Sequence, residues 1–391
     1  MPKFPHASET ALSLSDQVFS RLAAKAQTIE GELYPLHVGD TYRAPIPEAR
    51  AEAQHHDDHE QLHGYAPVQG IPALVDAIGE RLEHSYGVRP DRGSIQVMSG
   101  ATAGLSVTIH ALVDPGDEVL LPAPFWPLIR GIIARRGAVP VQVPLFDRLA
   151  DPTFDVEKAL EAKITSRTTA IYINTPNNPT GVILPPEVIR AMLRVAQKHQ
   201  LWVFSDEAYE ELWFEGERPR PVWTYPEAKD RVITNHTLSK SYGLAGARIG
   251  FAHGPNDIMK VIRSSQTFTT YCQARPMQHS AVAALSHGDA WLQEARSLYG
   301  EASRLCAEHL GVSPPPGGTF LFFDAAPWLK DSDESSLPFL EKALDYGVLL
   351  TPGSACGEAY ARWVRLCFTS VPIEKLREAL ERLRPLLSSR T

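Results

Sequence analysis

The stretch HTLSKSYGLAGARIGF, His236 to Phe251, carries the reading of the whole chain. It holds a single lysine, Lys240, among Thr237, Ser239 and Ser241, and Arg248 follows eight positions later between Gly246 and Gly250. A lone lysine among small and hydroxyl residues is a poor packing element. It suits an amine that condenses with a carbonyl to give an imine, while hydroxyls and an arginine hold a phosphate beside it.

Working outward from that stretch, apolar strands alternate with helices. IQVM runs into Ser99-Gly100-Ala101-Thr102, and a helix through Leu112 follows. EVLLP (118–122) fits a buried strand and WPLIRGIIARRG a helix. AIYINTP (170–176) is a strand ending in NNPTG, and 185–199 is a helix opened by prolines. LWVFSDEAY and VITNHTLSK read as two more strands, and IGFAHG as a short one. Strands of this kind imply an α/β fold: a mostly parallel sheet sandwiched by helices, with the polar residues collected at the strands' C-terminal ends, where such sheets bind ligands. Upstream, 15–25 and Pro72–Tyr86 read as helices flanking an irregular, proline-rich entry. The last third changes character. A long helix over 281–309, the break SPPPGG, the strand TFLFFDAA, a helix at 337–346, the strand WVRLCFTS and an amphipathic helix at 373–387 read as a smaller α+β domain. The expected division is 1–45 and 286–391 in the small domain and 46–285 in the large one.

The chain has 391 residues, too many for one ordinary core. With 43% hydrophobic and 21% charged residues, it has the balance of a globular protein. Its 46 acidic residues outnumber the 38 basic ones, which argues against nucleic-acid binding and binding to acidic membranes. Cys272, Cys306, Cys356 and Cys367 show no CxxC spacing, so reduced thiols are expected rather than disulfides or a zinc site. The N-terminus lacks the apolar core of a signal peptide and no run approaches the ~20 apolar residues of a membrane span, so a cytoplasmic protein is expected. His55, His56, Asp57, Asp58, His59 and His63 form a polar cluster; a solvated loop explains it better than a metal site, and no metal is expected.

NNPTG, SDEAY, HTLSK with Arg248, and WVR occur in that order, and together they resemble the class I/II aminotransferases, fold type I pyridoxal-phosphate enzymes like aspartate aminotransferase. The likeness runs over nearly the whole chain. It implies a transaminase that moves an amino group between an L-amino acid and a 2-oxo acid by a ping-pong mechanism. Lys240 would form the imine with pyridoxal 5'-phosphate and then shuttle the substrate's Cα proton. Asp206 would pair with the pyridine nitrogen, and Asn178 and Tyr209 with the phenolic oxygen. Gly100, Ala101 and Thr102 at a helix start, with Thr237, Ser239 and Arg248, would hold the phosphate. Trp126 would stack on the ring, although the adjacent Phe125 is an equal claimant from sequence. Arg365, with Gly39, would bind the substrate's α-carboxylate. Tyr65 would reach the phosphate of a neighbouring subunit, which implies a homodimer with shared sites.

The N-terminal LHVGDTYRAP departs from the family's usual wording, so the side chain of the substrate stays open. Arg43 and Arg275 are candidates for a second carboxylate; Tyr42, Phe268 and Tyr271 could line an aromatic or aliphatic pocket. The same lysine, aspartate and phosphate cup would also serve a C–S lyase, because the cofactor supplies the carbanion chemistry in both reactions. A non-catalytic regulator on this fold is the remote alternative; it would need a basic DNA-binding helix, and none is read before residue 15 or after 391.

Overall fold

Seven strands form one sheet in the computed structural model, which describes residues 8–13, 17–54 and 61–389. In chain order they are β1 (Ile95–Met98), β2 (Glu118–Ala123), β3 (Val139–Pro144), β4 (Thr168–Asn174), β5 (Trp202–Asp206), β6 (Val232–Thr237) and β7 (Gly250–His253). In space they run β1-β7-β6-β5-β4-β2-β3. From β3 to β6 every pairing is parallel, and β7 runs against both its neighbours. All residues of β1, β2 and β7 are buried, as strands covered on both faces must be. Helices Gly100–Leu112, Pro127–Arg135 and Pro186–Lys198 follow β1, β2 and β4, and prolines open the last two, where a missing N–H costs nothing.

A second, antiparallel sheet contains β8 (Phe320–Asp324), β9 (Thr351–Pro352) and β10 (Trp363–Cys367), in the order β8-β10-β9. The N-terminal segment docks on it through backbone bonds. Tyr34 N donates to Gly347 O at 2.8 Å, Cys367 N to Leu36 O at 2.7 Å, and Tyr42 N to Thr369 O at 2.9 Å. Residues 34–42 are thereby held beside β10, against residues more than 300 positions later in the chain.

Two expectations from sequence change, and one strand lacks a sequence signal. VITNHTLSK is not one strand: β6 stops at Thr237, whose Oγ1 accepts from Ser239 N, and Leu238–Ser241 forms a single helical turn. Lys240 therefore rides on a capped turn. The helix expected over 281–309 is two, Arg275–His287 and Asp289–Leu310. They part at Gly288, where a Cβ would meet Ala284 O at 2.4 Å and the Tyr242 ring at 2.6 Å. The strand without such a signal is β3, because VPVQVP is proline-rich and half exposed at the sheet's edge. His55, His56, Asp57, Asp58 and His59 lie outside the described residues, and His63 is exposed. Among the described residues, no helix is long and apolar enough to cross a membrane.

Candidate active site

The C-terminal ends of β4, β5 and β6 deliver Asn174, Asp206 and Thr237 to one cavity of about 240 Å3. Lys240, Tyr209, Asn178, Arg248, Ser239, Ala101, Thr102, Trp126, Gly39 and Arg365 line it too. Residues spread over more than 300 positions of sequence are thus brought together at the edge where parallel sheets bind ligands. Between Phe125 and Trp126 the choice is now made: Phe125 is buried in the core, and Trp126 faces the cavity.

One end of the cavity is built for an anion. The helix Gly100–Leu112 begins there with no side-chain cap, so the N–H groups of its first turn point at the opening. Gly100 has φ +79°, and a Cβ on it would come within 2.6 Å of Arg248 Nη2; only glycine lets the guanidinium approach so closely. Arg248 donates from Nη1 to Ser239 Oγ (3.3 Å) and Ala245 O (2.8 Å), and from Nη2 to Ser99 O (3.4 Å). Every one of these partners is neutral.

Asp206 also lines the cavity and is buried. Its Oδ2 accepts from Tyr172 Oη at 2.7 Å and its Oδ1 from Ala208 N at 3.2 Å. Burial raises its carboxyl to about 6, while the Tyr172 hydroxyl, the Ala208 N–H and the His236 charge pull the other way. Asn174 Nδ2 donates to the Asp206 backbone O (2.9 Å), and its Oδ1 accepts from Asn178 N (2.7 Å), which fixes the NNPTG turn against β5. Asn178 Nδ2 then donates to Tyr209 Oη at 3.2 Å.

Arg365, on β10, brings the second sheet to the same cavity. Asn178 Oδ1 (3.0 Å), His37 O (3.1 Å) and Thr351 Oγ1 (3.3 Å) accept its hydrogen bonds, and its guanidinium stands 4.3 Å over the Phe320 ring. Its Nε is buried with no partner. Among the described residues, Arg365 and Arg248 make no ion pair, although both are cations held by neutral groups. Gly39 packs against Phe320, where a Cβ would sit 2.6 Å from the ring edge. Lys240 Nζ donates to Gly39 O, and burial lowers the amine's proton affinity.

Tyr65 is not in the cavity. It is 82% exposed and meets the ring of Tyr271 edge-on, centroids 5.2 Å apart. Arg43 pairs with Glu294 at 2.5 Å and lies over Trp291, and Arg275 donates to Tyr65 O at 2.6 Å, so both arginines are engaged elsewhere. Tyr172, Asn174, Ala208 and Phe320 were not picked out from sequence. A lone tyrosine in an apolar strand was the available signal for the first.

Pyridoxal phosphate fits this arrangement. Around one cavity the chain offers an anion cradle that a Cβ at Gly100 would fill, a buried carboxylate and an amine. The family described as "Aminotransferase class I and II" matches residues 32–383. A probable aspartate/prephenate aminotransferase from Thermus aquaticus is 33% identical over 328 residues, covering 81% of this chain and 82% of that protein. An arginine–pyruvate transaminase from Pseudomonas aeruginosa is 32% identical, covering 82% and 81%. A solved aspartate aminotransferase from Thermus thermophilus superposes with a TM-score of 0.88 at 28% identity, covering 98% of this chain and all of that one. With these likenesses running through both sheets and the cavity between them, the chain belongs to the class I and II aminotransferases, pyridoxal-phosphate-dependent enzymes that move an amino group between an amino acid and a 2-oxo acid.

Proposed function

We propose that the two cavity arginines divide the anions of the reaction, Arg248 taking the cofactor's phosphate and Arg365 the α-carboxylate of an L-amino acid. One observation carries this reading: both cations face one cavity and both have only neutral partners among the described residues. Arg365 is buried, where a cation without an anion is costly, Arg248 is exposed at the mouth of the cavity, and a forked guanidinium suits phosphate and carboxylate alike.

The other roles follow. Thr237, Ser239 and the first-turn N–H groups of Gly100, Ala101 and Thr102 complete the phosphate cup. Trp126 covers one face of the ring. Asp206 would accept from the ring nitrogen and keep it protonated, and Asn178 and Tyr209 would hold the phenolic oxygen. When bound, pyridoxal phosphate supplies the aldehyde that takes up the amino group and a ring that withdraws electrons from Cα. Lys240 would be the base that takes the proton from the substrate's Cα; burial lowers its proton affinity and readies the amine for that task. Gly39, whose carbonyl accepts from Lys240 in the free chain, lies where the substrate's carboxylate would enter.

We further propose a homodimer in which exposed Tyr65 completes the partner's phosphate site, and a cytoplasmic location, supported by four free thiols. The working domain division is 1–45 with 286–391, against 46–285. The docking of residues 34–42 on the second sheet supports it, as does the break at Gly288.

Single amino acids mixed with the holoenzyme, without a 2-oxo acid, test the reading. The expected result is conversion of the visible absorbance to that of the amino form of the cofactor by at least one L-amino acid, lost in Lys240→Ala. Release of ammonia and a 2-oxo acid without that conversion would instead mark an elimination enzyme.

A further inference from the structure

Asp206 stands at the end of β5, and β4 beside it presents Tyr172 and Asn174 two residues apart, hence on one face. Both reach Asp206: Asn174 holds its backbone carbonyl, and Tyr172 donates to its carboxylate at 2.7 Å. Tyr172 is 1% exposed, packed in an apolar cluster that includes Leu105, Leu121 and Phe125. A phenylalanine would fill that space equally well. A buried hydroxyl costs free energy unless it is bonded, and the bond this one makes is to Asp206.

We propose that Tyr172 is a positioning residue: its hydroxyl occupies Oδ2 of Asp206, keeps the carboxylate ionised and leaves Oδ1 to face the cofactor's ring nitrogen. This rests on the reading of Asp206 as the partner of that nitrogen. Each oxygen has one partner, and the bond at Oδ1, from Ala208 N at 3.2 Å, is longer than the 2.7 Å bond at Oδ2, so Oδ1 is the less engaged of the two. The groups that set the carboxylate's basicity come from three elements. Tyr172 is on β4; the Ala208 N–H and the Tyr209 phenol follow β5; His236 is on β6, with Glu210 Oε1 2.6 Å from its Nδ1. Burial raises the carboxyl's proton affinity, and the Tyr172 hydroxyl is the strongest of the opposing influences. Without that hydroxyl, the proton shared between ring nitrogen and carboxylate moves to Asp206. The ring is then neutral and accepts electrons from Cα less well.

The test uses holoenzyme loaded with pyridoxal phosphate carrying 15N in the ring, comparing wild type, Tyr172→Phe and Asp206→Asn. In Tyr172→Phe the 15N resonance should move toward that of neutral pyridine. The half-reaction rate at saturating donor should fall about tenfold, one unit of proton affinity, with the donor's KM within twofold of wild type. A Tyr172→Phe enzyme with wild-type resonance and rate, while Asp206→Asn shifts both, overturns the proposal, even if its melting temperature falls, since packing alone would then explain the tyrosine. If Asp206→Asn leaves the resonance in place, the reading of Asp206 fails first. Should Tyr172→Phe not fold, 3-fluorotyrosine placed at 172 keeps the ring and strengthens the donor. The resonance should then move further toward pyridinium, and an unmoved resonance overturns the proposal.

Discussion

Arg365 shows how one side chain can be legible in sequence while its neighbours are not. An arginine inside WVRLCF needs an anion, and its position on β10 with three neutral acceptors and a buried, unpartnered Nε agrees with that need. Arg365→Lys keeps the charge but loses the fork. It should raise the donor's KM about a hundredfold, roughly 3 kcal/mol of charge-assisted bonding, with a smaller effect on kcat; steady-state kinetics with the best donor checks this. Lys240 and Arg248 stand out in sequence as an amine and a guanidinium among small and hydroxyl residues, whereas Asp206, Asn178 and Tyr209 come with the motifs of the class I/II resemblance. Tyr172 stands out in neither way, because the partner that explains its hydroxyl lies 34 residues away on the next strand. Nor could sequence choose between Phe125 and Trp126, since adjacent rings differ only in the face they present. Gly100 was read as part of a phosphate cup, but its other duty, admitting the Arg248 guanidinium, depends on a contact across 148 positions.

At the scale of elements, the strands buried on both faces were the easiest to read and the exposed edge β3 the hardest, because burial on both faces is what writes a continuous apolar run. The end of β6 was misjudged because Thr237 can continue a strand or cap a helix, and only the bond from Ser239 N decides. Just past the end of β5, burial pushes the Glu207 carboxyl up to about 7, and Glu210 adds to this. The His236 charge, the Ser205 hydroxyl and Val222 N oppose it. The sign of its linkage follows directly. The folded state binds a proton at Glu207 that the unfolded chain has already released near its ordinary value of 4.5. Its contribution is therefore fully present below pH ~4.5 and is lost as pH rises to about 7, amounting to roughly 3 kcal/mol. Glu207→Gln keeps an oxygen for Ser205 Oγ and Val222 N and does not titrate. Thermal unfolding of the apo form at pH 5 and pH 8 should show the variant gaining stability relative to wild type as pH rises. An equal difference at both pH values would mean that Glu207 is ionised in the folded protein throughout.

For the whole molecule, the question is where the site ends. Tyr65 at 82% exposure, Phe268 at 89% and Tyr271 at 47% leave aromatic rings in solvent, the first two being the most exposed large apolar side chains among the described residues. Arg275 fastens the Tyr65 loop by its backbone, which presents the ring outward in a fixed pose. If that ring serves a second copy, then Lys240→Ala and Tyr65→Ala damage the same site from different chains. In a mixed dimer, one site carries both changes and the other carries neither. Each variant alone should be weak when pyridoxal phosphate is limiting. Co-expressed in equal amounts they should recover about a quarter of wild-type activity, because half the dimers are mixed and each has one intact site of two. Size-exclusion mass and activity at limiting cofactor read the result together. A dimer whose mixed form shows no gain would place Tyr65 in service of its own chain, or of neither site.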